Sequence, residues 1–462
     1  MKTFFTLFNK YVLENLPKLT FITLTVVFLI NAFYNIALLG DGTWDFINIL
    51  NNIFWDNENR NYATFIVNLP MILAIKLGCK DFNLFILLQG FWFFFVTLIC
   101  LFIAYINIPA KNKNYFHFIL LSYLISMNFV GTYFSNKSFL CAGLFWIIAI
   151  IFIFENFNTI SFKKLMLLLI CSFAMIKNYQ WSAIFIFLLL IYWFIKIKEI
   201  DYTNIETIKI FKFFLLIVLF IIFILTILWV YNSYYYYASF LFNPIIEFYT
   251  DSNFIIFSIT LLSILFIVMK PFIKVNNLLF KLLLYLSFIF IPYSMLKNNF
   301  LYFIGNFRLL NFIMPLLLSS IIFYIYKKKI VMNFTTIKIL NLLLLIIFII
   351  NISVIAKIWN YELNDFYKLI SKTQGIISSA NTKTLRLQEG DHLNPWLSII
   401  LQKQRGQSHI KSVIYIEDKQ NRVFHLTFFN IALFVETMPN LKKFEISYDN
   451  ELLKKIAEKN TN

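Results

Sequence analysis

Apolar runs close to twenty residues long recur along this chain, and they constrain its fold more than any other feature. They lie near 19–39, 82–106, 115–134, 138–155, 164–176, 181–195, 211–232, 253–269, 279–296, 309–326 and 337–356. A helix needs about 20 apolar residues to cross a hydrocarbon core of about 30 Å. The pattern therefore predicts an α-helical polytopic membrane protein of about 11 transmembrane helices, with the pair 164–176 and 181–195 short. Composition points the same way: 60% of the 462 residues are hydrophobic and 14% charged, and the mean hydropathy is +0.75. A soluble domain averages about 45–50% apolar and about 25% charged. A chain this apolar cannot hide its surface from water by collapsing into a globule.

Loop charge sets the expected orientation. With the N-terminus inside, the cytoplasmic loops and adjoining helix edges collect 18 Lys and Arg, among them Lys111, Lys113, Lys163, Lys164 and Lys327 to Lys329. The outer loops before residue 357 collect seven. Lys and Arg density on the inner side fixes topology, so the N-terminus is expected inside and everything after residue 356 outside. The first apolar run follows Lys2, Lys10 and Lys18 and lacks a small-residue cleavage site, so it reads as a retained signal anchor. Much of the net charge of +17 then meets anionic lipid headgroups. No basic cluster interleaved with aromatics points to nucleic acid, and no internal repeat is present. Cys79, Cys100, Cys141 and Cys171 have no paired spacing and read as small apolar residues.

The expected domains are therefore 1–356, transmembrane with a structured first outer loop at 40–81, and 357–462, a small soluble C-terminal α/β domain. This tail carries 15 Lys and Arg against 11 Asp and Glu and ordinary polar alternation. Trp359, Leu363, Phe366 and Ile370 recur at helical spacing. Lys411–Glu417 and Val423–Phe429 read as strands. His392, His409 and His425 show no metal-ligand spacing and read as surface or packed histidines.

The loop from Gly40 to Asp81 is unlike the other outer loops. It opens GDGTWDFINILNNIFWDNENR, with Asp41 and Asp45 one helical turn apart. Trp44, Ile47, Leu50 and Phe54 form an apolar stripe that predicts a helix lying in the membrane interface. Asp56, Glu58 and Arg60 follow, then a second expected helix over 62–77 that carries Pro70. Carboxylates here can act as a general base, hold a divalent metal through oxygen ligands, or simply be solvated. Gly40 and Gly42, which flank Asp41, allow close backbone approach.

This layout resembles the GT-C superfamily of membrane glycosyltransferases, which use polyprenyl-phosphate-linked sugars. The resemblance rests on an inside N-terminus, an acidic residue soon after the first span, and a first outer loop of interfacial helices. It continues through RNYATFIVNLPMILAIKLGCKDFNLFILLQGFWFFFVTLICLFIAYI and the tight pair of spans joined by Lys177-Asn178-Tyr179-Gln180. Arg308, which opens the late span RLLNFIMPLLL, extends it. Asn68-Leu69-Pro70 stands where the family has its His-Pro pair, and the loop has no Asp-x-Asp.

The resemblance implies a bacterial inner-membrane enzyme with a periplasmic tail. Asp41, with Asp45 beside it, would be the catalytic carboxylate that takes a proton from an acceptor hydroxyl. Arg60, Lys177 and Arg308 would stabilise the leaving lipid phosphate, while Tyr179 and the run Tyr234 to Tyr237 could stack on sugar. A lipid-linked donor and a lipid, glycan or protein acceptor would be its partners beside membrane lipids, and a divalent metal is compatible with the carboxylates. Snorkelling to headgroups explains the same cations, and an interfacial aromatic belt the same tyrosines. An O-antigen polymerase or ligase, a lipid-linked glycan transporter or flippase, and a non-catalytic scaffold remain as other readings.

Overall fold

The computed structural model describes residues 9–35, 38, 41–50, 61–130, 136–175, 182–198, 216–228, 310–378, 394–407, 409–415 and 447–448. These form α1 (Leu16–Phe33), α2 (Asp41–Leu50), α3 (Asn61–Val67), α4 (Leu69–Lys76), α5 (Phe82–Asn107), α6 (Phe116–Val130), α7 (Asn136–Phe154) and α8 (Phe162–Met175). They continue with α9 (Ser182–Lys198), α10 (Leu216–Leu228), α11 (Leu310–Lys328) and α12 (Thr335–Lys372). The tail adds β1 (Gly375–Ser378), α13 (Asn394–Gln404), β2 (His409–Ile410), β3 (Ser412–Tyr415) and β4 (Ser447–Tyr448). The chain divides into two compact units. One comprises Met1–Val27, Asn59–Ala63 and Phe95–Ile352; the other comprises Phe28–Glu58, Thr64–Phe94 and Ser353–Asn462.

Among the described residues four helices are long and apolar enough to cross a membrane: α1, α5, Lys137–Phe154 within α7, and α12. The protein is thus a helical, membrane-associated one. The expected spans at 253–269 and 279–296 lie outside the described residues. At 1.5 Å per residue, α8 reaches only about 21 Å, as its short run implied. The first span was expected to reach residue 39, but α1 stops at Phe33 because Asn35 adopts a left-handed φ of 56°.

In the first unit α7 is the central helix. Its apolar stretch is wholly buried, and α8, α9 and α11 pack around it. A helix that is apolar on every side belongs in such an interior. Phe145 stacks on Phe185 at 4.2 Å between ring centroids, and Phe185 continues to Phe312 at 5.0 Å. Lipid tails are as apolar as these side chains, so close packing and hydrogen bonds must hold such helices together. Asn128, buried on α6, donates from Nδ2 to the Leu344 carbonyl of α12 at 3.0 Å. Asn341 donates back to the His117 carbonyl at 2.8 Å. These two rungs fix the register of α6 against α12. Cys100, Cys141 and Cys171 are buried free thiols, as expected of small apolar residues.

Gly143 shows how tight the packing is. A Cβ built there would lie 2.7 Å from the Cβ of Cys100, an atom fixed to the α5 backbone. Gly143→Ala should therefore push α5 and α7 apart and cost about 1–3 kcal/mol. Thermal unfolding of the detergent-solubilised protein reads this directly, and an unchanged midpoint would contradict the close approach.

The turns at one end of this bundle are interlocked. Tyr115, before α6, meets Phe154 at the end of α7 (5.6 Å) and Phe334 before α12 (5.4 Å); Phe154 meets Tyr326 at the end of α11 (4.8 Å). Glu155 pairs with Lys164, and its carbonyl accepts from Lys196 Nζ at 3.0 Å. Lys113 donates to the Tyr105 carbonyl, and partial burial holds its ammonium below its ordinary pKa. The lysines at 111–113, 163–164, 196–198 and 327–329 thus come together at a single end.

The second unit gathers the C-terminal part of α1, α2, the latter part of α3, α4, the first part of α5, the last part of α12 and the tail. Phe28 stacks on Phe94 at 5.1 Å, and Trp92 Nε1 donates to the Ile66 carbonyl at 2.8 Å. The tail begins inside a helix, since α12 runs unbroken from Thr335 to Lys372. Trp359, Leu363, Phe366 and Ile370 are all buried, as their spacing predicted. Beyond α12, β1 pairs in parallel with β3 from Gly375↔Ser412 to Ser378↔Tyr415, and α13 crosses between them and packs on β3. β2 pairs in parallel with β4. The expected strand 411–417 is realised as Ser412–Tyr415; the one at 423–429 lies outside the described residues.

Candidate functional site

The second unit is built around the point where the chain leaves α1. Tyr34 N–H donates to the Asn31 carbonyl at 3.0 Å and Asn35 N–H to Ala32 at 3.2 Å, which closes the helix end. Asn tolerates the left-handed conformation that follows better than other non-glycine residues. Three donors then converge on Asn35. Its carbonyl accepts from Trp359 Nε1 of α12 at 3.0 Å and from the Leu38 N–H at 3.0 Å. Its side-chain Oδ1 accepts from Gln404 Nε2 of α13 at 3.1 Å. The Leu38 carbonyl in turn accepts from Thr43 Oγ1 inside the first turn of α2. A continuous relay of hydrogen bonds therefore runs from the tail helices, through Asn35 and Leu38, to the start of α2.

Asp41 is the first residue of α2, and Asp45 follows one turn later. Thr43, Phe46, Ile47, Ile49 and Leu50 are buried at 1% exposure or less. With about 3.6 residues per turn, positions 41, 45 and 48 fall on the arc opposite this buried set. Of the expected apolar stripe, Ile47 and Leu50 are buried; α2 lies against α13, and Phe46 meets Phe82 of α5 at 5.8 Å. The single helix expected over 62–77 is two, α3 and α4, separated at Asn68. Pro70 falls in the first turn of α4, where a missing N–H leaves no helical bond unmade. Asn68 Nδ2 donates back to the Thr64 carbonyl at 2.9 Å across the break.

On the tail side, Gln402 of α13 donates to the Ser398 carbonyl at 3.0 Å and the Ser412 carbonyl at 2.7 Å, while its Oε1 accepts the Lys411 N–H at 2.9 Å. Ser412 Oγ donates to the Ile370 carbonyl, so α13, β3 and α12 form one frame. Arg405 donates to Asn364 Oδ1 at 2.7 Å and lies over the Tyr367 ring, which also receives a bond from Gln407 at its hydroxyl. Gln404 Oε1 and Gln407 Oε1 are buried with no hydrogen-bond partner among the described residues.

Of the residues singled out from sequence, Arg60, Lys177, Tyr179 and Arg308 lie outside the described residues, as do Asp56, Glu58, Tyr234 to Tyr237, His392 and His425. Of Asp41 and Asp45 the structure describes the helical backbone. Sequence reasoning missed Asn35, Gln404 and Glu362, a carboxylate on α12 buried to 6% exposure in this same unit. Asn just past a helix end is a recognised stop signal and could have marked Asn35; nothing local marks its partners. Among the described residues no group of three or more His, Cys, Asp and Glu side chains is placed to hold a metal ion. No protein-family model, no curated protein and no solved structure matches this chain.

Proposed function

We propose that the protein is a multi-pass glycosyltransferase of GT-C type in a bacterial inner membrane. On this reading it has about eleven spans, a cytoplasmic N-terminus and a periplasmic tail. It moves a sugar from a polyprenyl-phosphate carrier to an acceptor hydroxyl. The observation that supports this most is the setting of Asp41. It opens a helix directly after the first span, at an end where the helix dipole favours an anion. That helix is tied through Leu38 and Asn35 to Trp359 and Gln404 of the tail.

In this mechanism the Asp41 carboxylate takes the acceptor's proton. The acceptor oxygen bonds to the anomeric carbon as the bond from that carbon to the phosphate oxygen breaks, and the lipid phosphate leaves with the electron pair. Configuration inverts at carbon. Arg60, Lys177 and Arg308 neutralise the leaving phosphate, where charge grows in the transition state. A divalent metal, if one is used, would supply the same neutralisation.

Purified protein in nanodiscs, incubated with a total lipid extract of its host, provides the test. Mass spectrometry should show polyprenyl-phosphate sugar consumed and polyprenyl phosphate released by wild type. No conversion of any lipid-linked sugar by a folded wild-type preparation would argue against transfer, and in favour of transport or scaffolding.

A further inference from the structure

We infer that the α11–α12 turn and its neighbouring turns form a docking surface for anionic phospholipid, with Val331 entering the headgroup–acyl boundary and the surrounding lysines holding phosphates. This inference does not depend on the transferase reading.

The turn is built to hold its shape. Lys329 closes α11 in a left-handed conformation, φ 52°, which is uncommon for a residue with a Cβ. Its N–H donates to the Tyr326 carbonyl at 3.2 Å, and the Ile330 N–H reaches Ile325 at 3.1 Å. On the far side Asn333 Oδ1 accepts the Thr335 N–H at 3.0 Å and starts α12. Phe334 is clamped between Tyr115 and Phe118 at 5.4 and 5.9 Å. Between these two fixed ends stands Val331, 94% exposed. A β-branched apolar residue held out so far gains nothing from water. Its apolar surface leaves water if the tip enters an apolar layer.

Charge specifies which layer. Lys327, Lys328 and Lys329 precede the tip and are exposed, and Lys111, Lys163 and Lys198 are exposed at or beside neighbouring helix ends. Tyr115, Phe154, Tyr326 and Phe334 hold the ends of α6, α7, α11 and α12 together, and Glu155 ties α8 and α9 to them through Lys164 and Lys196, so these cations gather at one end. Glu155 is the acidic residue on those described turns; its carboxylate pairs with Lys164, and its backbone carbonyl accepts from Lys196. The end of the bundle is therefore strongly positive around an apolar tip. That combination fits a leaflet of anionic lipid, where each lysine near the surface adds about 1 kcal/mol of attraction. A zwitterionic leaflet would accommodate Val331 but present no net negative charge to the lysines.

The experiment uses the full chain with Cys79→Ser and Val331→Cys, labelled with an environment-sensitive fluorophore; the three remaining cysteines are buried. It is reconstituted in nanodiscs of zwitterionic lipid, with or without phosphatidylglycerol, and with acyl-chain-brominated lipid as quencher. The emission should be blue-shifted and quenched, more so with the anionic lipid. Native mass spectrometry should show anionic lipid retained by wild type, with retention falling about fivefold for each of Lys328→Gln and Lys163→Gln. Lys328→Arg should retain wild-type binding, which separates lost charge from a disturbed turn. Water-like emission that ignores both quencher and lipid charge would overturn the inference. So would Gln variants that hold anionic lipid as well as wild type does.

Discussion

Asp41→Asn should lower transfer from the lipid-linked donor by about 10²–10⁴-fold while leaving the protein at wild-type abundance in the membrane. That range is the contribution of a positioned general base. The substitution keeps size and polarity and removes only the ability to hold a proton, so folding should be spared. Asp45→Asn should have a smaller effect, because position 45 lies a turn further from the end of α1. Glu362→Gln is the informative control. It changes the buried carboxylate that the tail contributes to the same unit. If Glu362→Gln abolished transfer and Asp41→Asn did not, the base would have to be reassigned to α12. If all three variants transferred at the wild-type rate, none of Asp41, Asp45 and Glu362 could be the base.

The second large effect is expected from Trp359→Ala. Trp359 is fully buried, and its indole N–H holds the Asn35 carbonyl at 3.0 Å. Truncating a buried Trp costs about 3–5 kcal/mol, which is a large share of the stability of an ordinary domain, about 5–15 kcal/mol. Trp359→Phe keeps most of the apolar area and loses only the hydrogen bond, so its cost should be about 1–2 kcal/mol. Hydrogen exchange read by mass spectrometry can locate the damage. Trp359→Ala should loosen both the α2 segment and α13, because Asn35 is the shared partner of Trp359 and Gln404. Loosening confined to α12 would mean that the relay through Asn35 does not couple the first loop to the tail.

These two experiments probe different kinds of information in the sequence. The helices of the bundle were legible because membrane solvent imposes a coarse rule, about twenty apolar residues per crossing, and because lysines mark one set of turns. The burial of Trp359, Leu363, Phe366 and Ile370 was legible for a similar reason, since a 3.6-residue period survives any choice of neighbour. The helix that Asp41 opens was legible from its own stripe. What covers that stripe was not. Ile47 and Leu50 look the same in sequence whether they meet lipid or protein, and only the packing of α13 against α2 decides it. Asn35 meets Trp359 and Gln404 across 324 and 369 residues, and no local pattern carries that pairing. The break at Asn68 was overlooked because the apolar pattern of 62–77 is continuous, whereas Pro70 favours a helix start at that point. Strand β1 and helix α13 are short, and each owes its place to the parallel pairing of β1 with β3.

The central claim, that this membrane protein transfers a sugar, is tested most directly by glycan and glycolipid mass spectrometry on a deletion strain. The strain is complemented with wild type or with Asp41→Asn, and membrane abundance is followed alongside. Deletion should remove one sugar mass, wild type should restore it, and Asp41→Asn at normal abundance should not. A deletion strain whose glycans and glycolipids are all unchanged would contradict it.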